Sequence, residues 1–193
     1  MTDLQQRLDQ LEIEIKRPSF RENKGLGNEI GYYVFDYSPE KELEVRQRIA
    51  YIKHKNENGM DPYQIVVFDL YDIIVEILNE KGFFNKCIDF EKQKGFDKVT
   101  QSIGRMLKIT DEKQCLINLY IKEHTPSNAI IFITGVGKSF PILRSHKILN
   151  SLHQVLDNVP VVMFFPGTYT GQELILFSQI KDDNYYRAFK LVD

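Results

Sequence analysis

Gly137, Lys138 and Ser139 follow a run of apolar residues, and a Gly-Lys-Ser turn in that position is typical of loops that bind nucleotide phosphates. In a loop of the pattern G-x-x-x-x-G-K-[ST], an upstream glycine lets backbone N–H groups approach the phosphates. That glycine would stand five residues before Gly137, where this chain has Phe132. The sequence therefore predicts a degenerate, P-loop-like turn without a Walker A phosphate cradle.

Gly135 joins Gly137, Lys138 and Ser139 in a candidate anion-binding turn, because free N–H groups and the helix dipole favour anions at a helix N-terminus. Pro141 weakens this interpretation, since it lacks an N–H donor and is typical of the first turn of a helix. The helix would then start beyond Lys138 and leave the lysine in the loop. We favour a tight structural turn and keep anion binding as the alternative.

Asp69 ends the apolar run 65–68 and resembles the carboxylate of a Walker B strand, which could hold magnesium through water. Asp is also a good N-cap, so Asp69 can simply begin the next helix. The Gly-Lys-Ser turn follows this strand, whereas a phosphate loop normally precedes its Walker B partner. We favour helix capping and do not expect ATP hydrolysis.

Arg144, His146 and Asn150 could form a polar recognition face on the helix after the turn, with His153 on the same side. The alternative is an ordinary amphipathic helix whose leucines pack inward while these residues border solvent. No acid or cysteine stands at a spacing that would complete a metal site or a catalytic dyad. A hydrolase with His146 as its base is therefore a remote hypothesis, and no metal or cofactor is expected.

Two further groups of residues lie at candidate functional positions. Gly167 and Tyr169 lie in the predicted loop 166–171, whose glycines would adopt special backbone angles. Asn184, Tyr185 and Arg187 could stack on a nucleic-acid base or on a partner, because aromatic residues and arginine dominate binding hot spots. Packing of an edge strand is the alternative for this second group.

The composition limits the classes of function. The 25 Lys and Arg nearly balance 27 Asp and Glu, so the overall charge does not attract nucleic acid or an anionic membrane. This balance does not exclude a local basic patch. No apolar run approaches the ~20 residues that span a bilayer. Cys87 and Cys115 stand apart, which predicts structural thiols. We expect a cytoplasmic protein without membrane contact.

The elements that must position these residues alternate between strands and helices. Strands are predicted at 32–35, 65–68, 130–134 and 159–165, followed by a hairpin over 173–191 that turns at 182–184. A first helix is predicted from a Thr2–Gln5 capping box to Pro18, and a helical insertion occupies about 84–126. This order predicts a single α/β domain over 1–193, a three-layer sandwich. Its twisted sheet has five to six mostly parallel strands and a C-terminal antiparallel hairpin.

Six stretches of the chain together resemble the BrxB family over nearly the whole length of the chain. They are GLGNEI at 25–30, FDYSPEKE at 35–42, FDLYDI at 68–73, TGVGKSFPILRSHKILN at 134–150, VPVVMFFPGTYTGQEL at 159–174 and NYYRAF at 184–189.

This resemblance implies a small component of the bacterial BREX phage-defence system, which blocks phage propagation and marks host DNA by adenine methylation. It implies an accessory or scaffold role without catalytic residues. The expected partner is the PglZ-type, phosphatase-like component, and the methyltransferase or ATPase components are further candidates. The motif residues become interface candidates: Arg144, His146, Asn150, Gly167, Tyr169, Asn184, Tyr185 and Arg187.

Two hypotheses of different class follow from the sequence. The first is a non-enzymatic adaptor that binds the PglZ-type component. The alternative is a nucleotide- or nucleic-acid-binding module that uses Asp69, Lys138 and Ser139, or Arg144 and Lys147.

Overall fold

A computed structural model describes residues 3–21, 31–181 and 188–192. Its helices are α1 (Asp3–Glu14), α2 (Pro18–Arg21), α3 (Glu42–Glu57), α4 (Leu70–Glu80), α5 (Phe84–Lys94), α6 (Phe96–Met106), α7 (Leu116–Glu123), α8 (Val136–Ser139) and α9 (Ser145–Leu152), with a 3₁₀ turn at Pro39–Lys41. Its strands are β1 (Tyr32–Tyr37), β2 (Gln64–Asp69), β3 (Ala129–Thr134), β4 (Val161–Tyr169), β5 (Leu174–Leu176), β6 (Ile180–Lys181) and β7 (Phe189–Lys190).

The predicted three-layer α/β architecture is confirmed. Five strands pair in the order β2-β3-β4-β1-β7, and every pairing along this path is parallel. β5 pairs antiparallel with β4, and β6 pairs antiparallel with β5, which gives seven strands within the described residues. The predicted helical insertion forms α5, α6 and α7 in the connection between the neighbouring strands β2 and β3.

The sheet separates two apolar cores. Residues of α1, α2 and α3 pack on one face, and residues of α4, α6, α7 and α9 pack on the other. Side chains alternate between these faces along each strand, so that Ile131 and Ile133 join one core while Phe132 joins the other. Each such fully buried side chain stabilises the fold by about 1.5–3 kcal/mol. This two-sided burial explains why β3 is apolar without interruption from Ala129 to Ile133.

Three sequence predictions about element boundaries are corrected. The C-terminal hairpin turns at 177–179, between β5 and β6, and the predicted turn at 182–184 lies outside the described residues. β7 instead pairs parallel with β1. Pro18 begins α2, since α1 already ends at Glu14, and the Thr2 cap is also outside the described residues. Pro141 does not open a helix, because α9 begins at Ser145.

The two cysteines differ in accessibility, which predicts unequal thiol reactivity. Cys115 is buried at the start of α7, while Cys87 is partly exposed on α5. Burial raises the pKa of both thiols and so lowers the fraction of reactive thiolate. We expect Cys115 to react with an aromatic disulfide reagent at least about tenfold more slowly than Cys87 in the native protein. A Cys87→Ser variant should keep only the slow phase, and equal rates would contradict the buried position of Cys115.

Candidate functional site

Asp69 lies where β2 passes into α4, at the carboxyl edge of the sheet. Its Oδ1 accepts hydrogen bonds from the backbone N–H groups of Tyr71 at 3.1 Å and Asp72 at 3.2 Å. The predicted N-cap role is therefore confirmed. Its Oδ2 accepts a hydrogen bond from the Thr134 hydroxyl at 3.4 Å, across the aligned ends of β2 and β3.

Lys138 is held by two carboxylates. Its Nζ lies 2.7 Å from Asp69 Oδ2 and 3.3 Å from Asp72 Oδ1, and it sits 5.6 Å from the centre of the Tyr71 ring. Partial burial opposes the charged form, but the hydrogen bonds and charges of Asp69 and then Asp72 raise the pKa of Lys138 above its usual value. The positive charge of the ammonium group is thus balanced by two carboxylates of the protein itself. The prediction that this lysine lies in a loop is wrong, since it belongs to the short helix α8.

The other residues of the candidate anion-binding turn make internal contacts. Gly135 has φ +74°, and a Cβ added to it would lie 2.2 Å from Asp69 Oδ1. A Cβ on Gly137 would lie 2.9 Å from the ring of Phe177. The Ser139 hydroxyl is buried and donates to the carbonyl of Val136 at 3.0 Å. The turn is a compact junction between strands and helices, with Asp69 at its centre.

The partner-binding candidates on α9 and just before it are not equally accessible. Arg144 is exposed and Asn150 is partly buried, whereas His146 is 5% exposed and lies in the interior. The expectation that all three border solvent is therefore wrong for His146. Ser151 connects this helix to α7, because its hydroxyl accepts a hydrogen bond from the Asn118 amide at 2.6 Å.

Gly167 and Tyr169 belong to β4, and the prediction of a loop at these residues is wrong. Gly167 has no positive φ, and its small size is needed because a Cβ would lie 2.1 Å from the carbonyl oxygen of Ile175 on β5. Tyr169 is 1% exposed, and its hydroxyl donates to the carbonyl of Ala188 at 2.5 Å. Both residues hold the sheet together, and the Tyr169 side chain offers no surface to a partner.

Asp36 is a buried charge near Tyr169 that the sequence analysis did not single out. It accepts hydrogen bonds from the Tyr169 backbone N–H at 2.9 Å and from the Arg7 guanidinium at 2.7 Å. These bonds join α1, β1 and β4. A carboxylate inside the apolar strand 32–37 was the available signal, since buried charges require partners.

The described ranges leave out three of the interface candidates and contain neither a group of side chains arranged for a metal ion nor a membrane-spanning helix. Asn184, Tyr185 and Arg187 lie outside the described residues. Within ranges 3–21, 31–181 and 188–192, no group of three or more His, Cys, Asp or Glu side chains is arranged to hold a metal ion. No helix in these ranges is both long enough and apolar enough to cross a membrane.

An open groove of about 600 Å³ runs along the outer edge of β2, and nothing in the sequence pattern revealed it. Its floor is the strand at residues 66–68. One wall comes from α3 and the other from α4 and the end of α7. The wall residues are Arg46, Ile49, Ala50 and Lys53 on one side, and Asp72, Ile73, Glu76, Tyr120 and His124 on the other.

Comparison with known proteins identifies close relatives. A family model described as "BREX protein BrxB" matches residues 66–191. A protein of Bacillus cereus (strain H3081.97) with the same name is 51% identical over 193 residues, which cover the whole of both chains. A third match, named BREX protein BrxB in Escherichia coli O9:H4 (strain HS), is 31% identical over 189 residues, or 98% of this chain and 92% of the relative. No solved structure matches this chain.

Proposed function

This chain belongs to the BrxB family of BREX proteins, and we propose from that premise that it is a non-enzymatic adaptor of a BREX anti-phage defence system. It binds the PglZ-type component and so helps to assemble the complex that methylates host DNA and blocks phage. Contact with the methyltransferase or ATPase components follows through this assembly. The family membership supports a role beside other BREX proteins.

The pairing of Lys138 with two carboxylates supports the non-enzymatic part of this proposal. A phosphate group at the Gly-Lys-Ser turn would have to displace two carboxylates from the ammonium group and would then lie beside their negative charges. The same Asp69 that could have held magnesium is occupied as the cap of α4. Binding of a partner protein requires neither a phosphate cradle nor a catalytic set.

Size-exclusion chromatography tests the adaptor role. Purified PglZ-type protein from the same operon should elute together with this chain as one complex when both are mixed at about 10 µM, a concentration that populates any complex with a micromolar or tighter Kd. Separate elution of the two proteins at that concentration would contradict the proposal.

Thermal unfolding tests the competing nucleotide or nucleic-acid role. A ligand present at 100 times its Kd stabilises the folded state by about 2.7 kcal/mol, which gives a measurable rise in Tm. Because Lys138 is already paired, we expect no rise with ATP and magnesium, with GTP or with a short DNA duplex. A clear rise that a Lys138→Met variant loses would show that the turn binds phosphate after all.

A further inference from the structure

β2 is the outermost strand on one side of the sheet, and part of its backbone faces away from its neighbour. The Gln64 N–H points toward β3 and donates to the carbonyl of Asn128. The Ile65 N–H points outward and donates to the side-chain oxygen of Asn56 at 2.8 Å. Since successive peptide groups of a strand alternate in direction, the N–H and C=O of Val67 also point outward. In the described part of the chain, no strand pairs with this edge.

Most of the usual protections of an exposed edge are missing from residues 64–68 of β2. Proteins normally cover such an edge or interrupt it with a proline, a charged side chain or a bulge. Residues 64–68 are QIVVF, without a proline or a charge, and the one charged residue of β2, Asp69, lies at its end. All six residues of β2 pair with β3 in unbroken register. The edge therefore has no bulge. Asn56 occupies the Ile65 N–H, but the outward backbone groups of Val67 can accept another strand.

The two walls of the groove carry opposite charges. Arg46 and Lys53 flank Ile49 on the α3 wall, and Asp72 and Glu76 flank Ile73 on the α4 wall. Arg46 and Lys53 also pair with Glu42 and Glu57 on the same helix, at 2.6 Å and 3.6 Å. On the α4 wall, Asp72 Oδ1 lies 3.3 Å from Lys138 Nζ, and Glu76 accepts a hydrogen bond from the Tyr120 hydroxyl at 2.8 Å. These exposed contacts are weak and can exchange for contacts with a partner.

We propose that the β2 edge binds an extended segment of a partner protein as an added strand, with acidic side chains toward α3 and basic side chains toward α4. Main-chain hydrogen bonds to Val67 supply affinity, and alternate side chains of the added strand contact the α3 wall and the α4 wall. The segment is thus marked by acidic and basic residues on opposite faces around an apolar centre. This inference rests on the proposed adaptor function and gives it a docking surface.

Charge selects such a partner over a second copy of this chain. Symmetric antiparallel pairing of two β2 edges places a two-fold axis perpendicular to the joined sheet. The α3 wall would then meet the α3 wall, and Arg46 and Lys53 would face their own copies. Like charges in contact disfavour that arrangement.

Two synthetic peptides test the proposal. In TEKVVEKT, glutamates share one face and lysines the other, so each face matches one wall. In its isomer TEKVVKET, both faces carry one glutamate and one lysine, so neither orientation matches. With ¹⁵N-labelled protein, we expect the first peptide to bind at least about fivefold more tightly and to shift and protect the Val67 amide. Equal affinities, or an undisturbed Val67 amide, would overturn the proposal.

Charge reversal provides the matched variants. The double variant Arg46→Glu, Lys53→Glu should bind TEKVVEKT at least about tenfold more weakly than wild type. The control variant Lys92→Glu, Lys94→Glu makes an equal charge change on exposed residues of α5 and should bind the peptide as wild type does. Light scattering adds a check: a wild-type dimer with a protected Val67 amide would assign the edge to a second copy and overturn the proposal.

The same variants separate this inference from the adaptor function. If the PglZ-type protein binds wild type and the Arg46→Glu, Lys53→Glu variant equally well, the adaptor function stands and the docking surface is wrong. If the PglZ-type protein binds none of the three proteins, neither the wild type nor the α3 variant nor the α5 control, the adaptor function fails. The two peptides then decide independently whether the β2 edge accepts a strand.

Discussion

A Gly167→Ala variant is expected to lose about 3 kcal/mol of unfolding free energy, because the added methyl group overpacks a contact between two strands. The new Cβ would lie 2.1 Å from the carbonyl oxygen of Ile175, 2.9 Å from the ring of Phe165 and 3.0 Å from the Phe177 amide. Two of these three neighbours are backbone atoms, which cannot move aside as a flexible side chain can. β5 would have to separate from β4. Urea unfolding followed by circular dichroism measures the loss.

Gly171 provides the matched control for Gly167. It lies in the connection between the same two strands, and a Cβ there would meet no atom within 4 Å. Its φ of +87° still strains an alanine, so Gly171→Ala should cost only about 1 kcal/mol. If Gly167→Ala is no more destabilising than this control, the close approach of β5 to β4 is not a determinant of stability.

A Gly135→Ala variant is expected to lose about 2–3 kcal/mol, because alanine is strained at φ +74° and its Cβ would displace the Asp69 carboxylate. Displacement breaks the cap of α4 and separates Asp69 from Lys138 at the same time. The expected loss combines backbone strain, the cap and a partly exposed ion pair. Urea unfolding again gives the value.

Gly82→Ala is the control that isolates the Asp69 contact. Gly82 follows α4 with φ +66°, and a Cβ there would meet no atom within 4 Å. This variant suffers backbone strain alone and should lose about 1 kcal/mol. Equal losses in the two variants would mean that the Asp69 junction adds nothing to stability.

Local signals in the sequence were sufficient for much of the fold. The apolar runs at 65–68 and 130–134 lie in β2 and β3, because strands covered on both faces need apolar side chains throughout. The cap at Asp69 was also predictable, because it depends only on nearby backbone, the N–H groups of Tyr71 and Asp72 two and three residues along the chain.

Features that depend on pairing between distant segments were not predictable. Lys138 meets Asp69 because β2 and β3 align Asp69 with Thr134, a register that no local pattern specifies. Gly167 was predicted to lie in a loop and to need special backbone angles, whereas the approach of β5 requires its small size. The groove beside β2 likewise depends on strand order, because only the topology places that strand at an edge.

The adaptor function is tested most directly by capturing this protein, with an affinity tag, from cells that express the whole operon. We predict that the PglZ-type component is recovered with it in near-equimolar amount, and that a strain expressing the tag alone recovers none. Recovery of this chain without the PglZ-type component, at matched expression of both proteins, would contradict the account.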